Sequence, residues 1–291
     1  MHTVTLMSDP ANPALEPAAA EALRNAWGGS DLIWLQPDVA AQFAVAERPD
    51  NVESVWADMQ GLGIDLVCLP GKPRVFSLLL ADMDSTMIGQ ECIDELGAEA
   101  GVAEAVAGIT RRAMNGEIGF QESAVERVAL LKGLDTGVIS HVLATRITHR
   151  PGGKTLVATM RAKGAYSALI SGGFTAFSGV VAKDLGFDAH RANDLIEEGG
   201  KLTGEIARPI LGRQAKVEAM DAFCAELGIT HADVIAVGDG ANDLAMLGTA
   251  GLGVAAHAKP AVQEAVEARI NHCDLTGLLF LQGLSADEFA T

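Results

Sequence analysis

Val75-Phe76-Ser77-Leu78-Leu79-Leu80-Ala81-Asp82-Met83-Asp84-Ser85-Thr86 is the stretch on which the reading of this chain turns. An apolar run of strand length ends by delivering two carboxylates, Asp82 and Asp84, into a short turn. Acids placed this way can act as nucleophile and proton shuttle, bind a metal, or cap a helix. Ser85 or Thr86 would also serve as N-cap of a following helix. An Asp-x-Asp alone does not choose among these.

Three later signals narrow the choice. Ser171-Gly172-Gly173 follows the apolar run 165–170, Lys216 opens a helical stretch, and Gly238-Asp239-Gly240-Ala241-Asn242-Asp243 follows the run 234–237. Singly, each has a plain account: a turn, a solvated lysine, an acidic loop. Together and in this order they point to phosphoryl transfer through an aspartyl-phosphate. Attack on a phosphate monoester needs an in-line nucleophile, positive charge on the phosphoryl oxygens and a proton for the leaving alkoxide. Asp82 is placed to attack and Asp84 to supply the proton. Ser171 and Gly172 offer a hydroxyl and an unshielded amide, and Lys216 the cation. Asp239 and Asp243, with Asp82, would make an oxygen cage suited to Mg²⁺.

The totals fit. The chain has 291 residues, enough for one large or two medium domains, with 49% hydrophobic and 20% charged residues. A net charge of −17 argues against a nucleic-acid partner. It also sits badly with an anionic substrate unless a metal ion and a few placed cations correct the field locally. Cys68, Cys92, Cys224 and Cys273 form no Cys-x-x-Cys pair, so reduced, buried thiols are expected rather than a zinc site or disulfides. No run approaches the ~18 apolar residues of a membrane span, and residues 1–6 lack a basic region followed by an apolar stretch. A cytoplasmic location is expected.

Residues 1–73 read as a small α+β module. Trp27, Trp34 and Trp56 all lie here, with helical spacing in 16–27 and 52–60 and strand-like runs at 31–35 and 64–69. Pro70-Gly71-Lys72-Pro73 marks a boundary. Residues 74–291 alternate strand and helix. A helix-rich insert spans about 87–150, with glycine breaks at Gly97, Gly108, Gly116, Gly119 and Gly133. A helix at 154–163, a strand at 165–170 and a hairpin at 194–206 turning at Gly199-Gly200 come next. They precede a helix at 216–227, a strand at 234–237, a helix at 244–247 and a strand at 252–256. This alternation predicts an α/β fold with a doubly wound, mainly parallel sheet, whose ligands lie beyond the strand C-termini.

The four motifs resemble those of the haloacid dehalogenase-like superfamily and, within it, the phosphoserine phosphatase family. Asp82-Met83-Asp84-Ser85-Thr86 is similar to the first motif and Ile170-Ser171-Gly172-Gly173-Phe174 to the second. Lys216 matches the third and Gly238-Asp239-Gly240-Ala241-Asn242-Asp243 the fourth. The likeness covers residues 75–272 and extends to Ile88-Gly89-Gln90-Glu91, Met114, Gly119-Phe120, Glu126-Arg127-Val128 and 194–205.

The resemblance implies that Asp82 is phosphorylated and that Asp84 is general acid and base. It implies Mg²⁺ held by Asp82, the backbone carbonyl of Asp84, and Asp239. Ser171, Gly172 and Lys216 would hold the phosphoryl group, with Asn242 close by and Asp243 positioning the lysine. The insert would be a cap in which Glu91 takes a substrate ammonium and Arg127 its carboxylate, with Met114 and Phe120 as an apolar wall. The implied activity is Mg²⁺-dependent hydrolysis of O-phospho-L-serine, the last step of L-serine biosynthesis. Another small phosphomonoester, or transfer to an alcohol, keeps the same mechanism. A phosphorylation-switched or amino-acid-sensing regulator is the reading from a different class. The N-terminal module resembles regulatory modules of the ACT type, which leaves open serine sensing, a homodimer contact, or packing on the core.

Overall fold

The computed structural model describes residues 1–115 and 117–290. The glycine break expected at Gly116, and Thr291 at the end of the 74–291 unit, lie outside them.

Along β1 (His2–Ser8) side chains alternate between two destinations, Val4 and Leu6 toward a pair of helices and Met7 toward the main core. Then come α1 (Pro17–Ala26), β2 (Ile33–Gln36), β3 (Ala40–Val45), α2 (Val52–Gln60) and β4 (Ile64–Pro70). The strands form an antiparallel sheet in the order β2-β3-β1-β4. Leu23, Val52 and the three tryptophans pack with Phe43 and Leu66 over one face. The sequence reading misses β1 and β3. Polar residues interrupt their apolar runs, yet these too are buried: Gln42 Nε2 donates to Thr5 Oγ1 at 2.9 Å and to the Phe280 carbonyl at 2.7 Å.

The main sheet begins with β5 (Leu78–Ala81). Four helices follow, α3 (Cys92–Glu99), α4 (Ala103–Met114), α5 (Phe120–Ala129) and α6 (Gly137–Thr145). The chain continues through α7 (Gly153–Ala162), β6 (Tyr166–Phe174), α8 (Thr175–Leu185), β7 (Ala189–Asn193) and the hairpin β8 (Leu195–Glu198)–β9 (Lys201–Ile206). It closes with α9 (Arg213–Leu227), β10 (Val234–Gly238), α10 (Leu244–Thr249), β11 (Leu252–Ala256), α11 (Pro260–Ala265), β12 (Ala268–Ile270) and α12 (Gly277–Leu281). Six strands pair in parallel in the order β12-β11-β10-β5-β6-β7.

Parallel central strands are covered on both faces, which is why β5 and β10 read as unbroken apolar runs. Leu79 and Val237 join Leu156, Phe177 and Leu278 on one face, while Leu78, Leu80 and Ala236 join Met220, Phe223 and Met246 on the other. Truncating one such side chain, as in Leu79→Ala, costs about 2–5 kcal/mol. From β5 the chain winds outward to β6 and β7, then returns to build β10, β11 and β12 on the opposite side. The direction of winding therefore reverses between β5 and β10, and a crevice opens there beyond the strand C-termini.

The helices α3–α6 leave and rejoin this crevice through a narrow neck. Gly89 N donates to the Thr148 carbonyl and Arg150 N to that of Met87, each at 2.9 Å. The loop after α5 is also tied to β9: Gly133 N donates to the Leu202 carbonyl at 2.8 Å and Leu202 N to that of Leu134 at 2.9 Å.

The N-terminal sheet docks beside β12. Asp65 of β4, wholly buried, accepts the backbone N–H groups of Asn271, His272 and Cys273 at 2.8–3.0 Å. Burial holds its carboxyl above the usual range, against the pull of these three bonds. Arg269 stacks 4.0 Å over Trp56 and pairs with Glu53 at 2.8 Å. Among the described residues no helix is long and apolar enough to cross a membrane.

Candidate active site

Because β5 and β10 are paired neighbours, with Ala81 opposite Val237, the residues that follow them emerge side by side. Asp82 N donates to the Val237 carbonyl at 3.0 Å, which fixes the first acid where the strand ends. Asp82, Asp239 and Asp243 bring carboxylate oxygens within 4.8 Å of one another, all buried.

Lys216 runs underneath. It lies in the first turn of α9, three residues after the helix begins at Arg213, and its side chain is 2% exposed. Its Nζ sits 2.6 Å from Asp82 Oδ1 and 2.6 Å from Asp243 Oδ1. The other Asp243 oxygen accepts the backbone N–H groups of Asp239 at 3.2 Å and Gly240 at 2.9 Å. Asp243 is thereby fully engaged and holds the lysine in place. Burial alone would lower the Lys216 ammonium, but the two carboxylates more than offset it and keep it charged. Asn242 Nδ2 reaches Asp82 Oδ2 at 3.4 Å.

Across the crevice, β6 ends in Ser171-Gly172-Gly173. Ser171 is buried and its Oγ accepts the Gly173 N–H at 2.8 Å. Gly173 is required by close approach, since a Cβ there would lie 2.8 Å from Asp84 Oδ2. The other oxygen, Asp84 Oδ1, accepts the thiol proton of Cys92 at 3.0 Å. Burial first, and then the charge of Glu91, push the Asp84 carboxyl up to about 7. Burial pushes Asp82 well above the usual range, helped by Asp243 and opposed by Lys216. Asp239 is pushed up to about 6 by burial, against the pull of Lys259.

These groups open into a cavity of about 440 Å³ whose other wall is the helical insert. Glu91, Met114, Phe120 and Arg127 all line it, together with Asp82, Asp84, Ser171, Gly172, Asp239 and Asn242. Lys216 and Asp243 lie behind that lining. Glu91 accepts the Ser85 hydroxyl at 2.8 Å. Arg127 donates from Nε to its own helix at the Ser123 carbonyl, 3.3 Å away. Burial lowers its pKa, with Asp94 and Glu91 pulling it back. Phe120 rests on the core: a Cβ at Gly172 would meet its ring at 3.0 Å.

One expectation needs correction. No helix starts at Ser85 or Thr86; α3 begins at Cys92, and Ser85 adopts a left-handed φ of 57°. The Thr86 hydroxyl instead donates to Asp239 Oδ1 at 3.0 Å, orienting that acid. Three further residues at the site escaped the sequence reading: Thr86, Cys92 and Lys259, which lines the cavity. Thr86 and Cys92 sit within or beside recognised motifs, but their partners lie across a turn or on another strand. Lys259 carries no local signal at all.

The residues present fit a divalent cation. Hard carboxylate oxygens of Asp82, Asp239 and Asp243 converge and Thr86 orients one of them, while burial holds Asp82 and Asp239 above their usual range. The Asp84 carboxylate itself stands outside the cluster, turned toward Cys92.

Residues 79–248 match the family model of the haloacid dehalogenase-like hydrolases, whose phosphatases use a divalent metal. The phosphoserine phosphatase of Streptomyces coelicolor is 36% identical over 293 residues, spanning 98% of this chain and 71% of that protein. Among solved structures, a HAD family hydrolase from Salmonella enterica serovar Typhi superposes with a TM-score of 0.86 at 28% identity, covering 97% of this chain and 98% of that one. A phospho-aspartyl intermediate analogue of phosphoserine phosphatase superposes at 0.66 with 38% identity, over 72% of this chain and 99% of that one. The motifs, the crevice they occupy and these likenesses agree: the chain belongs to the phosphoserine phosphatases of the haloacid dehalogenase-like hydrolase family.

Proposed function

We propose that this protein hydrolyses O-phospho-L-serine to L-serine and inorganic phosphate, the last step of L-serine biosynthesis, with Mg²⁺ as its metal. The observation that carries the reading is a single cavity with an aspartate–lysine–aspartate array on one wall and a Glu91–Arg127 pair on the other. Four free thiols fit a reducing, cytoplasmic setting.

The Asp82 carboxylate attacks phosphorus and the bond to the serine oxygen breaks. Asp84, protonated near neutrality and with Oδ1 already occupied by Cys92, delivers its proton from Oδ2 to the leaving oxygen. The same carboxylate then takes a proton from water as that water attacks phosphorus and frees Asp82. Lys216, Ser171 and the Gly172 amide hold the phosphoryl oxygens, and Asp243 keeps Lys216 aimed. Asp82, Asp239 and the Asp84 backbone carbonyl would hold Mg²⁺, which would supply positive charge to the phosphoryl group. Arg127 offers a forked donor set to the substrate carboxylate and Glu91 a counter-charge to its ammonium. The insert, about residues 87–150, acts as a cap that excludes water, and Met114 and Phe120 form its apolar wall. The N-terminal residues 1–73 form a module that packs on the core through Asp65, Gln42 and Glu53.

The test is phosphate release from O-phospho-L-serine with Mg²⁺ and with EDTA, beside O-phosphothreonine and p-nitrophenyl phosphate. Mg²⁺-dependent turnover strongly favouring phosphoserine is expected. Turnover of p-nitrophenyl phosphate alone would keep Asp82 as nucleophile and remove the roles of Glu91 and Arg127.

A further inference from the structure

The cavity poses an electrostatic problem that Lys216, Arg127 and the Mg²⁺ the site would hold offset only in part. A phosphomonoester dianion must enter a chain of net charge −17, past a lining that carries Asp82, Asp84, Glu91, Asp94 and Asp239. Lys216 is committed to two carboxylates behind the lining. Arg127 belongs to the insert wall, with Nε tied to its own helix. One more cation lines the cavity among the described residues: Lys259, on the core side.

Its backbone is fixed and its side chain is not. Lys259 N donates to the Asp239 carbonyl at 3.0 Å, and its own carbonyl accepts the N–H groups of Val262 at 2.9 Å and Gln263 at 3.1 Å. Pro260 follows at the start of α11, and Val262 is wholly buried. From this anchored point the side chain is 56% exposed, and its Nζ stands 3.9 Å from Asp239 Oδ2. That is near enough for attraction and too far for a hydrogen bond, so the three ammonium donors stay free. A compact point charge on a flexible stem suits an approaching phosphate dianion.

We infer that Lys259 is a substrate-capturing residue, a half-exposed ammonium that draws the phosphate group into the cavity beside Asp239. The inference rests on the phosphatase reading of the site and extends it to the anion's entry. Lys259 offsets repulsion from the acidic lining during binding and takes no part in bond breaking. Its contribution therefore falls on KM and on affinity for free phosphate rather than on kcat. It is the same for any phosphomonoester, and salt weakens it.

The experiment compares wild type with Lys259→Met, Lys259→Gln and Lys259→Arg on phosphoserine and p-nitrophenyl phosphate, with inorganic phosphate as competitive inhibitor. At low ionic strength both neutral variants should raise KM for each substrate, and Ki for phosphate, by about fivefold, with kcat within about twofold. Lys259→Arg should keep wild-type values. At ~1 M salt, where the screening length falls to roughly 3 Å, the difference should vanish. Unchanged KM and Ki in the neutral variants, equal impairment in Lys259→Arg, or a salt-independent effect would each overturn the inference. An enzyme that turns over p-nitrophenyl phosphate but not phosphoserine would sink the substrate assignment, while the first substrate still decides the role of Lys259.

Discussion

On the core side of the cavity, Asp82, Lys216 and Asp243 are at most 4% exposed and joined by contacts of 2.6 Å. On the insert side, Met114 is 72% exposed and Phe120 37%, and Arg127 bonds only within its own helix. The side chains of the core wall are fixed by one another. The insert wall is only partly engaged: Glu91 bonds Ser85 and Phe120 rests near Gly172, while Met114 stands open. Charge stabilisation needs dipoles and charges fixed in advance, because reorienting them during the reaction would consume the benefit. Recognition of a small amino acid tolerates groups that settle on binding.

The comparison breaks most visibly at Asp82. Asp82→Asn should lower kcat by roughly 10⁴-fold or more on every substrate, since the group that forms the covalent bond is gone. Phosphate-release assays retaining above about a hundredth of wild-type rate would remove Asp82 as nucleophile. Arg127→Ala should instead separate substrates. We expect kcat/KM for phosphoserine to fall by about 10²-fold, the value of a lost charge-assisted pair, with p-nitrophenyl phosphate changed less than about threefold. Equal losses on both would mean that the insert wall serves catalysis as much as recognition.

The acidic core wall also marks the metal-free protein's stability. The folded-state pKa of Asp239, about 6, lies above its ordinary 3.8, so between those values the folded state binds more protons than the unfolded one. Stability from this group is thus present at low pH and lost as pH rises through about 6. His257, kept neutral by burial, works in the opposite direction below its ordinary 6.5. The clean measurement is therefore a difference: in EDTA, thermal unfolding from pH 5 to 7.5 should show Asp239→Asn gaining on wild type by about 2–3 °C as pH rises. Parallel profiles would count against an uncompensated acid at this position. The smallest effect is expected at Met114, where Met114→Ala should cost about two- to fivefold in kcat/KM for phosphoserine and under about 0.5 kcal/mol in stability by urea titration. A larger loss of stability would show the side chain packed in solution.

Much of the core wall was legible because it is local: an apolar strand run followed directly by acids, at 75–84 and again at 234–243. Four strands of the parallel sheet and the hairpin at 194–206 followed from the same periodicities, while the edge strands β7 and β12 did not. What escaped is non-local. β1 and β3 hide because the face that meets the core carries Thr3, Thr5 and Gln42: Thr3 donates to the Gly71 carbonyl and Gln42 to Thr5 inside the module, and Gln42 also reaches the Phe280 carbonyl of α12. Cys92 reads as a small hydrophobe until Asp84 is seen 3.0 Å from its sulfur. Lys259 reads as one surface lysine among many until β11 and α11 carry it to the mouth of a cavity formed by residues far away in the chain. Conversely, Lys216 would pass for a solvated helix-start lysine by local rules, and the fold buries it completely enough to reverse that reading.

The carboxylate of Asp65 has a consequence for how this protein can be shortened. It accepts three successive amides, Asn271 to Cys273, and two residues later Leu275 N donates to the Pro151 carbonyl, where the helical insert rejoins the core. A shortened form starting after Pro73 would strip the carboxylate acceptor from those amides and open this edge to water. Any shorter version that works must therefore supply a substitute acceptor at this edge, from its own C-terminal residues or from ordered water.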